Sequence, residues 1–188
     1  MTPKFLVELG EMLTRVEATD AAGRRLGCDE AMGRAVDLVR GQTGQGRKVI
    51  FIGNGGSAAI ASHQAVDYWK NGGMRAIAFN DPALLTCVGN DFGYPHVFEK
   101  PVEMFADAGD VLVAISSSGR SENILRGAAA GAHAGCRVLT LTGFTPDNAL
   151  RGRGEVNFYV PSTSYGYVEI THLALCHCIV DTIIEARR

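Results

Sequence analysis

Apolar residues at Phe5, Leu6, Leu9, Met12, Leu13 and Val16, then at Met32, Ala35, Val36 and Val39, keep the three-and-four spacing of one helical face. The chain therefore opens with two amphipathic helices. They stand outside the alternation that follows, so they cover a sheet or, as the preferred reading, pack against a second copy. From residue 48 the pattern changes to short runs rich in Val, Ile and Leu: "KVIFIG", "MRAIAF", "VLVAIS", "RVLTLTG" and "VNFYVP". Alanine-rich segments of helical period separate them. Parallel strands need crossover connections and are buried on both faces. The pattern thus predicts a doubly wound α/β fold, a five-stranded parallel sheet with helices on both sides. The expected organisation is one domain over 1–188, with a helical pair at 1–45 and an α/β core at 46–188. A last helical segment, "YVEITHLALCHCIVDTIIEARR", closes on Arg187 and Arg188, cations suited to a helix C-terminus.

Composition narrows the partners. A chain of 188 residues can bury a core without covalent staples, and 18 basic against 20 acidic residues leave a net charge of −2. That balance offers no electrostatic footprint for nucleic acid or an anionic membrane. Cys28, Cys87, Cys136, Cys176 and Cys178 form an odd set without framework spacing, which suits reduced thiols in a cytoplasmic protein. Glu8 and Glu11 interrupt the short apolar patch after Lys4 before a signal sequence can form. No stretch reaches the roughly 20 uncharged apolar residues of a spanning helix. A soluble, cytoplasmic protein is expected.

In open parallel sheets the ligand sits beyond the carboxyl ends of the strands. The first such end carries Gly53-Asn54-Gly55-Gly56-Ser57, directly before a helix. Glycines let a ligand approach backbone amides, and a helix start adds unpaired N–H groups and partial positive charge. A tight strand-to-helix turn with Ser57 as N-cap accounts for the same residues. A second loop, Ser116-Ser117-Ser118-Gly119-Arg120-Ser121, ends the "VLVAIS" strand. Two loops on one rim predict a phosphate clamp made without lysine. Other phosphate motifs fit less well. No Gly-Lys-Ser/Thr is present at the helix entry. The dinucleotide-like Gly53, Gly55, Ala58 finds only Asp81, in the turn "FNDP" and beyond the usual spacing of about 20 residues, as a ribose-binding acid.

His63 and Asp67 share one face of the helix that leaves the glycine loop. They can share a metal, orient each other for proton transfer, or form a surface pair. Glu169, His172 and His177 interrupt the apolar last helix and need partners if buried. Glu169 and His177 project to one broad side and could reach a common centre. His172 alone reads as a core histidine bonded to a backbone carbonyl. Cys176 and Cys178 point away from each other around His177 and read as packing residues.

"GNGGSAAIASHQAVD", "CVGNDFG", "GDVLVAISSSGRSENIL", "VLTLTG" and "EITHLALCHCIVDTIIE" together resemble the sugar isomerase (SIS) domain of the phosphoheptose isomerase family, over nearly the whole chain. The resemblance implies a homotetramer with active sites at subunit interfaces, one zinc ion per subunit, and interconversion of sedoheptulose 7-phosphate and a heptose 7-phosphate through an enediol. It implies substrate contacts from Asn54, Gly55, Gly56, Ser57, Asp67, Asn90, Asp91, Ser116, Ser117, Ser118, Ser121 and Glu169. Metal ligands are implied at His63, Asp67, Glu169 and His177. Asp67 is the expected general base and His177 the acid. The family usually carries glutamate at Asp67 and glutamine at Glu169, and Gly166 and Asn71 stand where an acid and an arginine are usual. Phosphosugar isomerisation is therefore the central expectation. The rivals are a scaffold binding a replication initiator, an isomerase of another phosphosugar, and a sugar-phosphate sensor.

Overall fold

The computed structural model describes residues 2–187, so Arg188 lies outside the described residues. Helix α1 (Thr2–Thr14) leads into a hairpin of β1 (Glu17–Asp20) and β2 (Arg25–Leu26), followed by α2 (Cys28–Gly44). The core then runs β3 (Val49–Gly53), α3 (Gly56–Lys70), β4 (Ala76–Ala78), α4 (Pro82–Asp91), α5 (Glu99–Phe105), β5 (Val111–Ser116), α6 (Glu122–His133), β6 (Arg137–Thr142), β7 (Val156–Tyr159) and α7 (Tyr165–Glu185). All five expected strands form, in the order β7-β6-β5-β3-β4, and every pairing among them is parallel.

The sequence pattern misses the hairpin between the first two helices. β1 pairs antiparallel with β7 and carries β2 at its outer edge, extending the sheet to seven strands. Its buried side chains are the small Ala18 and Thr19, so no bulky alternation marks it. Asp20 shapes the turn by accepting the amides of Ala22 and Arg24 at 3.0 and 2.9 Å.

Double winding is visible in the alternation of β3. Val49 and Phe51 join the layer of α2, α3 and α7, packed with Val113, Leu139, Tyr68 and Ile179. Ile50 and Ile52 point to the opposite face, with Leu112, Ala114, Phe98 and Ile124. Residues one apart on a strand face opposite ways, so one apolar run serves both layers.

By length and composition α7 could cross a membrane. Here it is a core helix, with Val168, Leu175, Cys176, Ile179, Val180 and Ile183 buried against the sheet. Arg187 does not serve its own helix end: its guanidinium donates to the carbonyl of Gly72, after α3. The cysteines divide. Cys176 is buried and its thiol is pushed up to about 12 by desolvation, whereas Cys178 is exposed and is not the packing residue expected.

Candidate active site

At the carboxyl end of β3 the chain turns through Asn54 and Gly55 into α3. Gly55 sits at φ 53°, ψ −121°, backbone that a side chain disfavours, and α3 has no side-chain cap. The N-cap is Gly55; Ser57, which the alternative reading of a simple turn put in that role, is the second residue of the helix and buried. The first intrahelical bonds are those of the Ala58 and Ala59 amides to the carbonyls of Asn54 and Gly55. The amides ahead of them are left for a ligand.

The serine loop stands beside this start because β3 and β5 are parallel neighbours with Gly53 opposite Ile115. Together the loops and α7 form a pocket lined by Asn54, Gly55, Gly56, Ser57, Ser116, Ser117, Ser118, Ser121, Tyr165 and Glu169. The hydroxyls are not equivalent. Ser116 Oγ accepts the Gly119 amide at 3.1 Å and Ser118 Oγ the Arg120 amide at 3.3 Å, which shapes the loop. Ser117 lines the pocket, and its buried Oγ has no hydrogen-bond partner among the described residues. An orphaned buried hydroxyl beside helix-terminal amides fits an oxyanion.

Several supports escaped the sequence reading. Asn54 and Asn123 exchange amide bonds at 2.9 and 2.8 Å, and Tyr94 donates its hydroxyl to Asn54 Oδ1 at 3.0 Å. Asn54 therefore meets the pocket with its orientation fixed. Asn148 fills the space that a Cβ on Gly119 (φ +60°) would need and so buttresses the serine loop. Tyr165, exposed at the mouth, lies edge-on to Phe144 at 4.9 Å. Asn123 was recognisable only as the residue that follows the serine motif; the others come from distant segments.

Asn90 and Asp91 stand apart from this pocket of the single chain: the chain stays helical through "GND", and at the end of α4 Asn90 donates to Asp91 at 2.9 Å in solvent. Asp81 caps α4 by accepting the Leu84 amide at 3.0 Å, in keeping with the poor fit of the dinucleotide pattern.

The expected metal set also divides. His63, Asp67 and His177 present ligand atoms within 4.8 Å of one another. His63 Nε2 lies 3.2 Å and His177 Nδ1 3.8 Å from Asp67 Oδ2, and Asn71 donates to Asp67 Oδ1 at 3.1 Å. Glu169 is not in this cluster. Its carboxylate packs on Gly56, where a side chain of any size would overlap both oxygens. The reason is helical rise: eight residues separate Glu169 from His177, about 12 Å along α7. Because Glu169 meets the start of α3 while His177 meets His63 and Asp67 further along, α3 and α7 run side by side away from the pocket. Two imidazoles and a carboxylate match a divalent zinc-type site with an open position.

His172 sits on the other side of α7, wholly buried, with Nε2 3.0 Å from the Thr142 carbonyl. A carbonyl only accepts, so Nε2 carries the proton of a neutral ring. Burial pushes its pKa down to about 4, against the upward pull of that bond. Since the folded value lies below the unfolded value of about 6.5, His172 contributes its full stability above pH 6.5 and loses it as the pH falls towards 4. Denaturant melts of wild type and His172→Gln at pH 7 and pH 4.5 should converge on acidification, with up to about 3 kcal/mol of wild-type stability lost at this residue.

A mostly parallel α/β sheet with a pocket of glycine amides and serine hydroxyls at its strand ends, and a histidine–carboxylate cluster further along two helices, is the arrangement of a SIS domain. The SIS domain family matches residues 5–143. A phosphoheptose isomerase of Enterobacter sp. (strain 638) is 38% identical over 159 residues, 81% of this chain and 82% of the relative. One of Pectobacterium atrosepticum is 41% identical over 144 residues, covering 73% and 74%. The solved phosphoheptose isomerase of Neisseria gonorrhoeae superposes with a TM-score of 0.77 at 34% identity, over 82% of this chain and 86% of that one. The chain belongs to the phosphoheptose isomerase family of SIS domains.

Proposed function

We propose that this protein is an aldose–ketose isomerase that converts sedoheptulose 7-phosphate to D-glycero-D-manno-heptose 7-phosphate. The observation that carries this reading is the shared seam: α3 and α7 bound the anion pocket at one end and bring His63, Asp67 and His177 together further along. The relatives are named phosphoheptose isomerases, and a pocket and a histidine–carboxylate cluster at two points of one seam support a site that takes the two ends of a sugar phosphate.

Ser117, the serine-loop hydroxyls and the start of α6 would hold the terminal phosphate. Anchoring a remote, non-reacting group provides orientation at the far carbons. Asp67 would move the proton between C1 and C2, giving an enediol, while His177 exchanges the proton of the sugar oxygen. His63, Asp67 and His177 would hold zinc, which when bound polarises the sugar oxygen. The imidazole of His177 beside Asp67 favours this enzyme over a scaffold that binds without chemistry.

A homotetramer in the cytoplasm, with sites completed by neighbouring copies, is the assembly we propose. The exposed Leu6 and Val7 on α1, and Tyr165 at the pocket mouth, support it, since such a surface is more stable covered.

The test is an NMR time course of the purified protein with sedoheptulose 7-phosphate in deuterated water. Deuterium at C1 or C2 together with appearance of the heptose phosphate is the expected result. Phosphate-dependent stabilisation without exchange would sink the enzymatic reading and leave a sensor.

A further inference from the structure

A second cavity, of about 620 Å³, opens at the other end of the sheet. Its polar residues fix the place: Lys48 precedes β3, Arg75 precedes β4 and Asp107 precedes β5, so it lies at the amino ends of the strands, whereas the anion pocket lies at their carboxyl ends. The two sites are separate. Three elements supply its apolar walls, namely Trp69 near the end of α3, Ile77 on the edge strand β4, and Met104 and Phe105 at the end of α5. All four are exposed, Trp69 and Phe105 at 55% and Met104 at 75%. Phe105 is backed by the buried ring of Phe79, with 5.9 Å between centroids. Large apolar side chains scattered singly over a surface need no partner, but several gathered round one concavity mark a binding site.

The rim adds charge of one net sign. Lys48 holds both nearby carboxylates, Asp107 at 2.7 Å and the buried Asp110 at 2.5 Å. Lys48, with Arg47 and Arg75 further off, keeps the Asp107 carboxyl below the ordinary carboxylate range. Three cations thus face two acids. Arg75 is exposed, forms no ion pair among the described residues, and is steadied by donating from Nη1 to the Gly46 carbonyl at 3.1 Å, which leaves the rest of its planar fork for a ligand. We propose that this cavity binds a small planar aromatic anion, an aryl carboxylate or sulfonate, with its ring against Trp69 and Phe105 and its anionic group on Arg75. An aromatic ligand gains offset or edge-on contacts from both rings. Its anionic group meets a guanidinium able to donate two parallel bonds. Nothing at this site depends on the isomerase chemistry.

The probe is anilinonaphthalene sulfonate, titrated into the purified protein. Trp69 is the single tryptophan of the chain, so energy transfer from it reports dye bound beside it. Expected are one saturable site per chain and quenching of Trp69 emission. Arg75→Gln should weaken the dye by at least about tenfold while leaving the uncharged analogue phenylnaphthylamine unchanged, because only the sulfonate loses a charged donor. Phe105→Ala should weaken both ligands. Both side chains are exposed, so the variants should fold as the wild type does, which circular dichroism checks. Sedoheptulose 7-phosphate at constant ionic strength should not displace the dye. Absence of saturable binding, as when a neighbouring copy covers the cavity, would overturn the proposal. So would unchanged dye affinity in either variant, or displacement by the sugar phosphate, which would put the dye in the anion pocket.

Discussion

Asp67→Asn and His177→Gln should each slow C1/C2 proton exchange on sedoheptulose 7-phosphate by about a hundred- to ten-thousand-fold, the usual contribution of a positioned acid or base. Asp67 is only partly exposed and is held from three directions: His63 at 3.2 Å, His177 at 3.8 Å and the Asn71 amide at 3.1 Å. Asparagine can keep most of these contacts but cannot accept a proton from carbon. Glutamine at His177 keeps bulk and polarity but cannot cycle between donor and acceptor at neutral pH. Phosphate binding should survive in both variants, because the serine loop is built on β5 and α6, away from the cluster. His63→Ala separates the metal from proton transfer. If zinc is lost on metal analysis and exchange falls as far as in Asp67→Asn, the ion takes part in the chemistry. If zinc is lost and exchange persists, the ion is structural. Full exchange in Asp67→Asn would remove Asp67 from the mechanism.

Gly53→Ala should be the most damaging single methyl group near the pocket. A Cβ there would lie 2.5 Å from the Ser57 carbonyl oxygen and 2.6 Å from its carbon. Both are backbone atoms of the first turn of α3, so no rotamer change relieves the overlap. The helix start must move as a unit, at a stability cost of about 1–3 kcal/mol, and the amides that face the pocket move with it. Chemical denaturation and phosphate titration should both register the change. Gly33→Ala is the matched contrast. Nothing lies within 4 Å of its added Cβ, and it stands inside α2, so the same substitution should stabilise by about 0.5–1 kcal/mol. A Gly53→Ala protein with wild-type stability and phosphate affinity would show that the strand-to-helix turn does not set the pocket.

Four of the five parallel strands were legible because they are buried on both faces and so read as largely apolar runs, and "VIFIG" feeds both core layers through alternate residues; β4, at the sheet edge with Ile77 exposed, was marked by its short apolar run alone. The β1–β2 hairpin was not, because so short an edge element, burying only Ala18, Thr19 and Leu26, shows no repeating pattern. Within the site, Gly55, Ser117, His63 and Asp67 were visible from local spacing. Their supports were not: Tyr94 reaches Asn54 across 40 residues, and Asn148 fills the space over Gly119 from beyond β6. His172 illustrates the opposite case, since a lone histidine in a leucine-rich helix reads as a buried ring bonded to a carbonyl, and Thr142 provides that carbonyl.

Residue order alone determined the alternation of strands and helices, the two loops at the strand ends, and the presence of two histidines and two carboxylates on two helical segments. Those follow from periodicity and from the chemistry of short segments, which neighbours along the chain suffice to set; their reading as an isomerase site came from the family resemblance. Only the tertiary structure decided that Glu169 joins the anion pocket while His177 joins His63 and Asp67. Both residues lie on one helix, and it is the rise of α7 against α3, fixed by packing on the sheet, that sends one carboxylate to Gly56 and brings the imidazole to Asp67.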